Sequence, residues 1–222
     1  MNLDLFESSD SIDRVPAPGA RETIGPQSVV LRGLARDRSP ALLAAVDAIC
    51  AVSPLRRMMT PGGLTMSVAM TNCGELGWIT DRRGYRYAPI DPATGERWPA
   101  MPAVMNALAR RAAGAAGFDG FAPDACLINC YEPGSRLSLH QDRDERDLDA
   151  PIVSVSLGLP AVFQFGGARR CDPVVRVRLE HGDVVVWGGV DRLRHHGVLR
   201  LAGGDHPLAG RRRLNLTFRK AG

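Results

Sequence analysis

The residues of this chain that are best suited to chemistry are two histidines and one aspartate. His140 and Asp142 are separated by a single residue, and His196 follows more than fifty residues later. Two histidines and one carboxylate form the facial set that binds ferrous iron in oxygenases while leaving coordination positions open. Residues two apart on a strand share a face, so a strand would direct His140 and Asp142 toward one metal. The spacing predicts an Fe(II) site, although an isolated His-x-Asp pair is common by chance.

The third ligand of this set is ambiguous, because His195 and His196 are adjacent. Neighbouring residues of a strand face opposite ways, so only one of the two can join His140 and Asp142. Spacing alone does not decide between the two histidines.

A strand-like segment near the C-terminus alternates polar and apolar residues. The alternation places Arg213, Asn215, Thr217 and Arg219 on one face. Arginine binds a carboxylate through two parallel hydrogen bonds, so a buried face of this kind predicts an anionic ligand. Iron together with a dicarboxylate co-substrate, 2-oxoglutarate, explains both this segment and the metal set. A solvated edge strand would show the same alternation, so the arginines support the hypothesis without deciding it.

The composition is that of a globular domain with a modest basic bias. The 222 residues are 45% hydrophobic and 23% charged, with a net charge of +4. No apolar run reaches the roughly 18 residues of a membrane span, and the N-terminus lacks the features of a signal peptide. We therefore expect a cytoplasmic protein with no membrane partner. Residues 166–222 carry twelve Arg or Lys against five acids, which suits a polyanionic partner, although genome composition also produces arginine richness.

The order of predicted elements favours a β-sandwich or jelly roll with helices on its outer face. Residues 1–27 predict a loosely ordered lead-in, and residues 28–222 a single domain. Helices are predicted at residues 39–52, with Ser39 as N-cap, and at about residues 102–116. Short apolar runs between turn residues predict strands at residues 28–34, 65–73, 78–87 (a pair bending at 81–84), 125–131, 152–157, 162–165, 174–179, 184–187, 197–201 and 214–219.

The chain resembles the AlkB-type nucleic-acid demethylases, bacterial members especially, over about residues 57–219, roughly three quarters of its length. The matching stretches follow one another in order. They are residues 60–63, 66–74, 76–78, Tyr85 with Tyr87, and residues 89–92, 98–102, 123–129, 137–142, 151–160, 163–167, 181–189, 196–197 and 215–219. This resemblance is far more specific than the His-x-Asp pair, whereas the first 50 residues match only loosely.

The resemblance implies a dioxygenase that uses Fe(II), 2-oxoglutarate and O2. It implies a mostly β fold with flanking helices, in which a double-stranded β-helix (jelly-roll) core at about residues 123–220 lies under a nucleotide-recognition lid at about residues 55–100. Iron would be bound by His140, Asp142 and His196. The co-substrate would be bound by Asn129, Tyr131, Arg213, Asn215 and Arg219. The residues implied to contact substrate are Met70, Trp78, Tyr85, Tyr87, Asp144 and Arg170.

The implied reaction is oxidative demethylation of 1-methyladenine and 3-methylcytosine in single-stranded DNA, with release of formaldehyde, succinate and CO2. The resemblance leaves double-stranded DNA and RNA open as further substrates. The base must leave the stack, and a cationic methylated base favours Trp and Tyr as neighbours. Trp78 and the two tyrosines would equally suit a core, and their place beside glycines and charged residues favours the lid. We expect a monomer. The alternatives are a dioxygenase of tRNA or other RNA, and a nucleic-acid-binding jelly roll without catalysis, which the intact metal set disfavours.

Overall fold

The computed structural model describes residues 16–222 and consists mainly of β-strands. The strands are β1 (Arg21–Gly25), β2 (Ser28–Leu31), β3 (Ala69–Gly74), β4 (Gly77–Asp81), β5 (Gly84–Ala88), β6 (Ala125–Tyr131), β7 (Leu137–His140), β8 (Ile152–Gly158), β9 (Ala161–Phe165), β10 (Val175–Leu179), β11 (Val184–Trp187), β12 (His196–Val198) and β13 (Arg213–Arg219). The α-helices are α1 (Ser39–Val52) and α2 (Ala103–Ala115). Neither helix of this described part is long and apolar enough to cross a membrane.

The strands form a seven-stranded and a four-stranded antiparallel sheet that share one core, as predicted for a jelly roll. The larger sheet has the order β1-β2-β11-β8-β13-β6-β3, and the smaller one β10-β9-β12-β7. The central strands β6, β8 and β13 are buried at every residue, because helices cover one face and the smaller sheet covers the other. Because these strands are continuous apolar runs, they could be predicted from the sequence.

The helices pack on the outer face of the larger sheet, as predicted. Leu42 and Val46 of α1 join Leu108 of α2 and alternate residues of β8 and β13, such as Val155 and Leu216, in one buried cluster. The opposite alternation faces the smaller sheet. That second cluster includes Leu127, Tyr131, Phe163, Phe165 and Trp187.

Two predictions near the N-terminus need correction. Of the predicted lead-in, residues 1–15 lie outside the described part, and residues 21–25 form β1, which pairs with β2 at the edge of the larger sheet. An ion pair between Glu22 and Arg32 holds this mostly polar strand, which has no apolar run to reveal it. Ser39 is the first residue of α1 rather than its N-cap, and its hydroxyl donates to the Ala35 carbonyl oxygen at 3.1 Å.

A separate hairpin of β4 and β5 stands beside the sheets, with its bend where the sequence predicted it. Its first strand is fixed by Asn72, whose side-chain amide accepts from the backbone N–H of Trp78 and donates to the carbonyl oxygen of Trp78, both at 3.0 Å. Trp98 donates its indole N–H to Ala88 at 2.8 Å, and any side chain at Gly77 would collide with that indole. These contacts fix the base of the hairpin.

Candidate active site

The fold brings His140, Asp142 and His196 together, with one ligand atom of each within 4.8 Å of the others. His140 ends β7 and His196 begins β12, and these residues are register partners on neighbouring strands. The prediction that Asp142 shares a strand with His140 is wrong, because β7 ends at His140 and Asp142 lies in the loop that follows. The carboxylate nevertheless reaches the same point from the loop.

The two histidines present the correct nitrogen to this point. His140 Nε2 lies 3.6 Å from Asp142 Oδ1, and His196 Nε2 lies 3.6 Å from Asp142 Oδ2. Each Nδ1 faces a backbone carbonyl oxygen, that of Ser138 at 2.9 Å and that of Arg194 at 3.1 Å. Donation from Nδ1–H leaves the Nε2 lone pair free for a metal. His195, the alternative ligand, borders the cavity but is not part of this cluster.

Electrostatics keep His140 and Asp142 in the protonation states that a metal requires. Burial, together with neighbouring His196, lowers the pKa of His140 to about 4. Burial would raise the pKa of Asp142, but the charge of Arg219 and contact with His196 hold it well below its usual value. A neutral imidazole and a carboxylate are therefore available at neutral pH, and two nitrogens with one carboxylate suit Fe(II).

The triad borders a cavity of about 420 Å³ between the sheets and the hairpin. Most of the predicted site residues line it. Besides the triad, these are Met70, Trp78, Tyr85, Asn129, Tyr131, Asp144, Arg170, Arg213, Asn215 and Arg219. Tyr87 is the predicted residue that does not line it.

Arg213 brings an unsatisfied charge to this cavity. Its side chain is only 1% exposed, and Nε and Nη1 have no hydrogen-bond partner among the described residues. Nη2 donates to Ser156 Oγ at 3.0 Å, and the guanidinium lies 5.0 Å from the Tyr131 ring centroid. Burial lowers the pKa of Arg213. Buried unpaired donors are costly, so these two N–H groups fit the carboxylate of an organic anion such as 2-oxoglutarate.

Arg219, at the other end of the same strand, is already paired. Its Nε and Nη2 donate to Asp142 Oδ2 at 2.9 and 2.5 Å, and Nε lies 3.2 Å from Glu145 Oε1. Burial alone would lower the pKa of Arg219, but the charge of Asp142 raises it above its ordinary value. The alternative of a solvated edge strand is wrong for both arginines, because β13 lies between β8 and β6 and is buried throughout.

The neutral residues predicted beside the arginines form a hydrogen-bonded row. Asn215 donates to Ser154 Oγ at 2.8 Å and accepts from Thr217 at 3.0 Å and from Asn129 at 3.3 Å. The amide oxygen of Asn129 has no partner among the described residues. The row is thus internally satisfied except for that one atom of Asn129, a residue that lines the cavity.

The hairpin covers the open side of the cavity with aromatic side chains. The Trp78 and Tyr85 rings stack at 5.5 Å with an interplanar angle of 15°, and Trp78 Nε1 donates to Asp144 Oδ2 at 2.9 Å. Tyr85 is 49% exposed, whereas Trp78 is half-buried and also packs against the second buried cluster. Met70 forms the buried floor, and Arg170 donates to the Leu139 carbonyl oxygen at 2.5 Å.

Tyr87 points elsewhere, and this reveals two residues that the sequence did not. Its hydroxyl donates to Glu145 Oε1 at 2.7 Å, and Glu145 Oε2 accepts from Arg192 at 3.1 Å. Glu145 and Arg192 form a buried ion pair behind the triad. Glu145 stands in a run of charged residues, 142–147, where nothing in the sequence separates a buried acid from a solvated one.

Known proteins share this architecture. The 2OG-Fe(II) oxygenase superfamily profile matches residues 27–219. The chain is 57% identical over 220 residues to "Alpha-ketoglutarate-dependent dioxygenase AlkB" of Escherichia coli, covering 99% of this chain and 98% of that one. It is 59% identical over 219 residues to the protein of the same name from Salmonella typhimurium, with the same coverage. A solved structure, "The structure of OsALKBH1", is similar with a TM-score of 0.79 and 28% identity over 90% of this chain and 100% of that one.

The profile spans nearly all of the described residues, and the bacterial relatives align over almost their whole length. The donor set at residues 140, 142 and 196 and the free N–H groups of Arg213 agree with the iron and the co-substrate that the family name implies. The chain belongs to the 2OG-Fe(II) oxygenase superfamily and is an AlkB-type dioxygenase that uses Fe(II), 2-oxoglutarate and O2.

Proposed function

We propose that this dioxygenase removes methyl groups from N-alkylated bases, 1-methyladenine and 3-methylcytosine, in single-stranded DNA. The observation that carries the proposal is that one cavity is bordered by the His140, Asp142 and His196 set, by the unpaired guanidinium of Arg213 and by the stacked rings of the hairpin. A metal, a dicarboxylate and a planar base would thus meet in one space. A binder without catalysis has no use for the first two.

We assign His140, Asp142 and His196 to Fe(II), and Arg213 to the carboxylate of 2-oxoglutarate far from the metal. Asn129, Tyr131, Asn215 and Arg219 would shape the same pocket. When bound, iron and 2-oxoglutarate activate O2 to hydroxylate a C–H bond, here that of the methyl group. The hydroxymethyl group then leaves the base nitrogen as formaldehyde, and the co-substrate becomes succinate and CO2.

The hairpin and its surroundings would select the damaged base. Methylation at N1 of adenine or N3 of cytosine leaves a cationic ring, and an aromatic face stabilises such a cation by cation–π attraction. Trp78 and Tyr85 offer such faces, and Asp144 places a carboxylate beside Trp78. Met70 and Arg170 border the same cavity. A base must be extruded to enter, which costs least in a single strand.

The proposal includes the arrangement of the whole protein. Residues 28–222 would form one domain, which β1 extends to Arg21. Within it, about residues 55–100 would act as the lid over a core at about residues 123–220. A monomer is supported because one chain supplies the metal set, the arginine and the hairpin. A cytoplasmic location is supported by the free state of all five cysteines, because disulfides are rare in reducing compartments.

The test is incubation with Fe(II), 2-oxoglutarate and oligonucleotides that carry one 1-methyladenine or 3-methylcytosine, with formaldehyde and base reversal as readouts. Unmethylated strands of the same sequence are the control. His196→Ala should be inactive and His195→Ala should retain most activity. Reversal on RNA but not on DNA would establish the alternative of an RNA demethylase, and absence of formaldehyde with every methylated strand would refute the proposal.

A further inference from the structure

Glu145 is a buried acid with partners on three different elements. Its side chain is 2% exposed and lies in the loop that follows the triad residue Asp142. Glu145 Oε1 accepts from the Tyr87 hydroxyl at 2.7 Å and lies 3.2 Å from Arg219 Nε, and Oε2 accepts from Arg192 at 3.1 Å. A buried carboxylate requires such partners, since an unpaired one is strongly destabilising.

The two arginines that hold Glu145 also hold Asp142. Arg219 donates to the carboxylate of Asp142 at 2.9 and 2.5 Å. Arg192 donates to the backbone carbonyl oxygen of Asp142 at 2.7 Å. One arginine thus fixes the side chain of the metal ligand and the other fixes its main chain, and both are oriented by Glu145. Groups that orient metal ligands in this way commonly change metal affinity 10- to 100-fold when removed.

The hairpin rests on the same loop through two residues. Trp78 and Tyr87 are opposite each other in the β4–β5 register. Trp78 donates to Asp144 and Tyr87 donates to Glu145, which are consecutive in the chain. Burial raises the pKa of Tyr87 well above its usual value, so its hydroxyl keeps the proton that it donates.

We propose that Glu145 is a positioning residue that couples the base-recognition hairpin to the metal ligand Asp142. A shift of the hairpin on binding a base reaches Glu145 through Tyr87, and reaches the carboxylate of Asp142 through Arg219. The proposal rests on the proposed function, because it takes a methylated base as the hairpin's ligand. Coupling between two sites is reciprocal, so a bound base must change metal affinity by the same factor as the metal changes base affinity.

The experiment measures the dissociation constant of Mn(II), which replaces iron without turnover, by calorimetry at saturating 2-oxoglutarate. Each titration is run with and without a saturating single-stranded oligonucleotide that carries 1-methyladenine, and the ratio of the two constants gives the coupling. In the wild type we expect the oligonucleotide to tighten Mn(II) binding about 5-fold or more. In Tyr87→Phe, the dissociation constant of Mn(II) without oligonucleotide should equal that of the wild type. The ratio of the constants without and with oligonucleotide should fall to about one.

Glu145→Gln should weaken Mn(II) binding about tenfold even without oligonucleotide, and its ratio should also fall to about one. Glu132→Gln serves as the matched control, because it makes the same charge change in an exposed pair with Arg57. It should keep the wild-type constant and ratio.

A wild-type ratio retained in Tyr87→Phe would overturn the coupling, as would a ratio of one in the wild type itself. Unchanged Mn(II) affinity in Glu145→Gln would overturn the link from Glu145 to Asp142. If Glu145→Gln does not fold, the ratio measured in Tyr87→Phe still tests the coupling between the hairpin and the metal site. Failure of the wild type to bind the methylated strand would refute the proposed function instead, and the Mn(II) titration of Glu145→Gln without oligonucleotide would still test the link.

Discussion

Strand β13 carries an arginine at each end, and only one of the two is paired with carboxylates in the part of the protein that the structure describes. Arg213 and Arg219 lie on one face of one strand, and both are buried, at 1% and 6% exposure. Arg219 is neutralised by Asp142 and Glu145, which raises its pKa. Arg213 has two unpaired N–H groups, and burial lowers its pKa. The charge of Arg219 is paired within the protein, whereas Arg213 keeps two N–H groups for the proposed ligand.

The difference separates two roles within one site, which are stabilising the free protein and binding a ligand. An unpaired buried cation costs stability in the free protein, and that cost is recovered when an anion binds. The Arg219 end instead stabilises the free protein and orients Asp142, the proposed metal ligand. Two arginines on the same face of one strand therefore have different expected roles.

The largest expected effect is that of Arg213→Met on the co-substrate. Loss of the charged partner of a buried carboxylate costs about 3–5 kcal/mol, so the dissociation constant of 2-oxoglutarate should rise by about two to four orders of magnitude. The thermal stability of the metal-free protein should not fall, because an apolar side chain replaces a cation with unpaired donors. Calorimetry with Mn(II) and a melting curve in chelator measure the two quantities, with the exposed neighbour change Arg211→Met as control.

Arg219→Met should show the opposite pattern in the same two assays. Asp142 and Glu145 would lose their shared cation, although Arg192 would still pair with Glu145. We expect the free energy of unfolding of the metal-free protein to fall by about 3 kcal/mol, measured by urea denaturation. Equal destabilisation by Arg213→Met and Arg219→Met would remove the distinction between the two ends.

Much of the fold was predictable because its central strands are continuous apolar runs between turn residues. The bounds of β6 and β11 agree with their predictions residue for residue, whereas α1 begins at Ser39, which was predicted as its N-cap. Strand β1 was missed because an edge strand needs no apolar run. The end of β7 at His140 was missed because side-chain periodicity does not mark where pairing with a neighbour stops.

The residues that line the site were easier to predict than the residues that form hydrogen bonds and ion pairs with them. Alternation correctly placed Arg213 and Arg219 on one buried face, and the resemblance selected residues that line the cavity. Which arginine is neutralised depends on Glu145, which is 74 positions away in sequence from Arg219 and indistinguishable there from its charged neighbours. Tyr87 was assigned to the substrate for the same reason, since its contact with Glu145 exists only in the folded chain.

The hairpin shows the same contrast as β13. Trp78 lines the cavity, like Arg213, whereas Tyr87 contacts Glu145, like Arg219. Trp78→Ala should lose about 1–3 kcal/mol of binding to a strand with 1-methyladenine, the usual worth of base–aromatic stacking. The loss should be smaller on the unmethylated strand, which gains no cation–π attraction. Trp78→Phe keeps a ring but loses the bond to Asp144, and should retain most of the binding. Equal losses on both strands would show that Trp78 serves packing instead.

The smallest expected effect is a pH dependence that belongs to one end of β13 only. In the wild type the pKa of Asp142 is depressed, so its contribution to stability is present above its unfolded pKa of about 3.9 and is lost as the pH falls below that. In Arg219→Met, burial without the cation should raise this pKa, so the penalty relaxes as the pH falls from neutral toward 4. Both effects narrow the stability gap between wild type and Arg219→Met on acidification, by about 1.4 kcal/mol for each unit of pKa difference. Arg213 has no acidic partner in the described part of the chain. The difference in free energy of unfolding between wild type and Arg213→Met should therefore stay constant over the same pH range. Urea midpoints of the three metal-free proteins at pH 7, 5, 4 and 3 measure this, and parallel curves for wild type and Arg219→Met would show that Arg219 does not control the ionisation of Asp142.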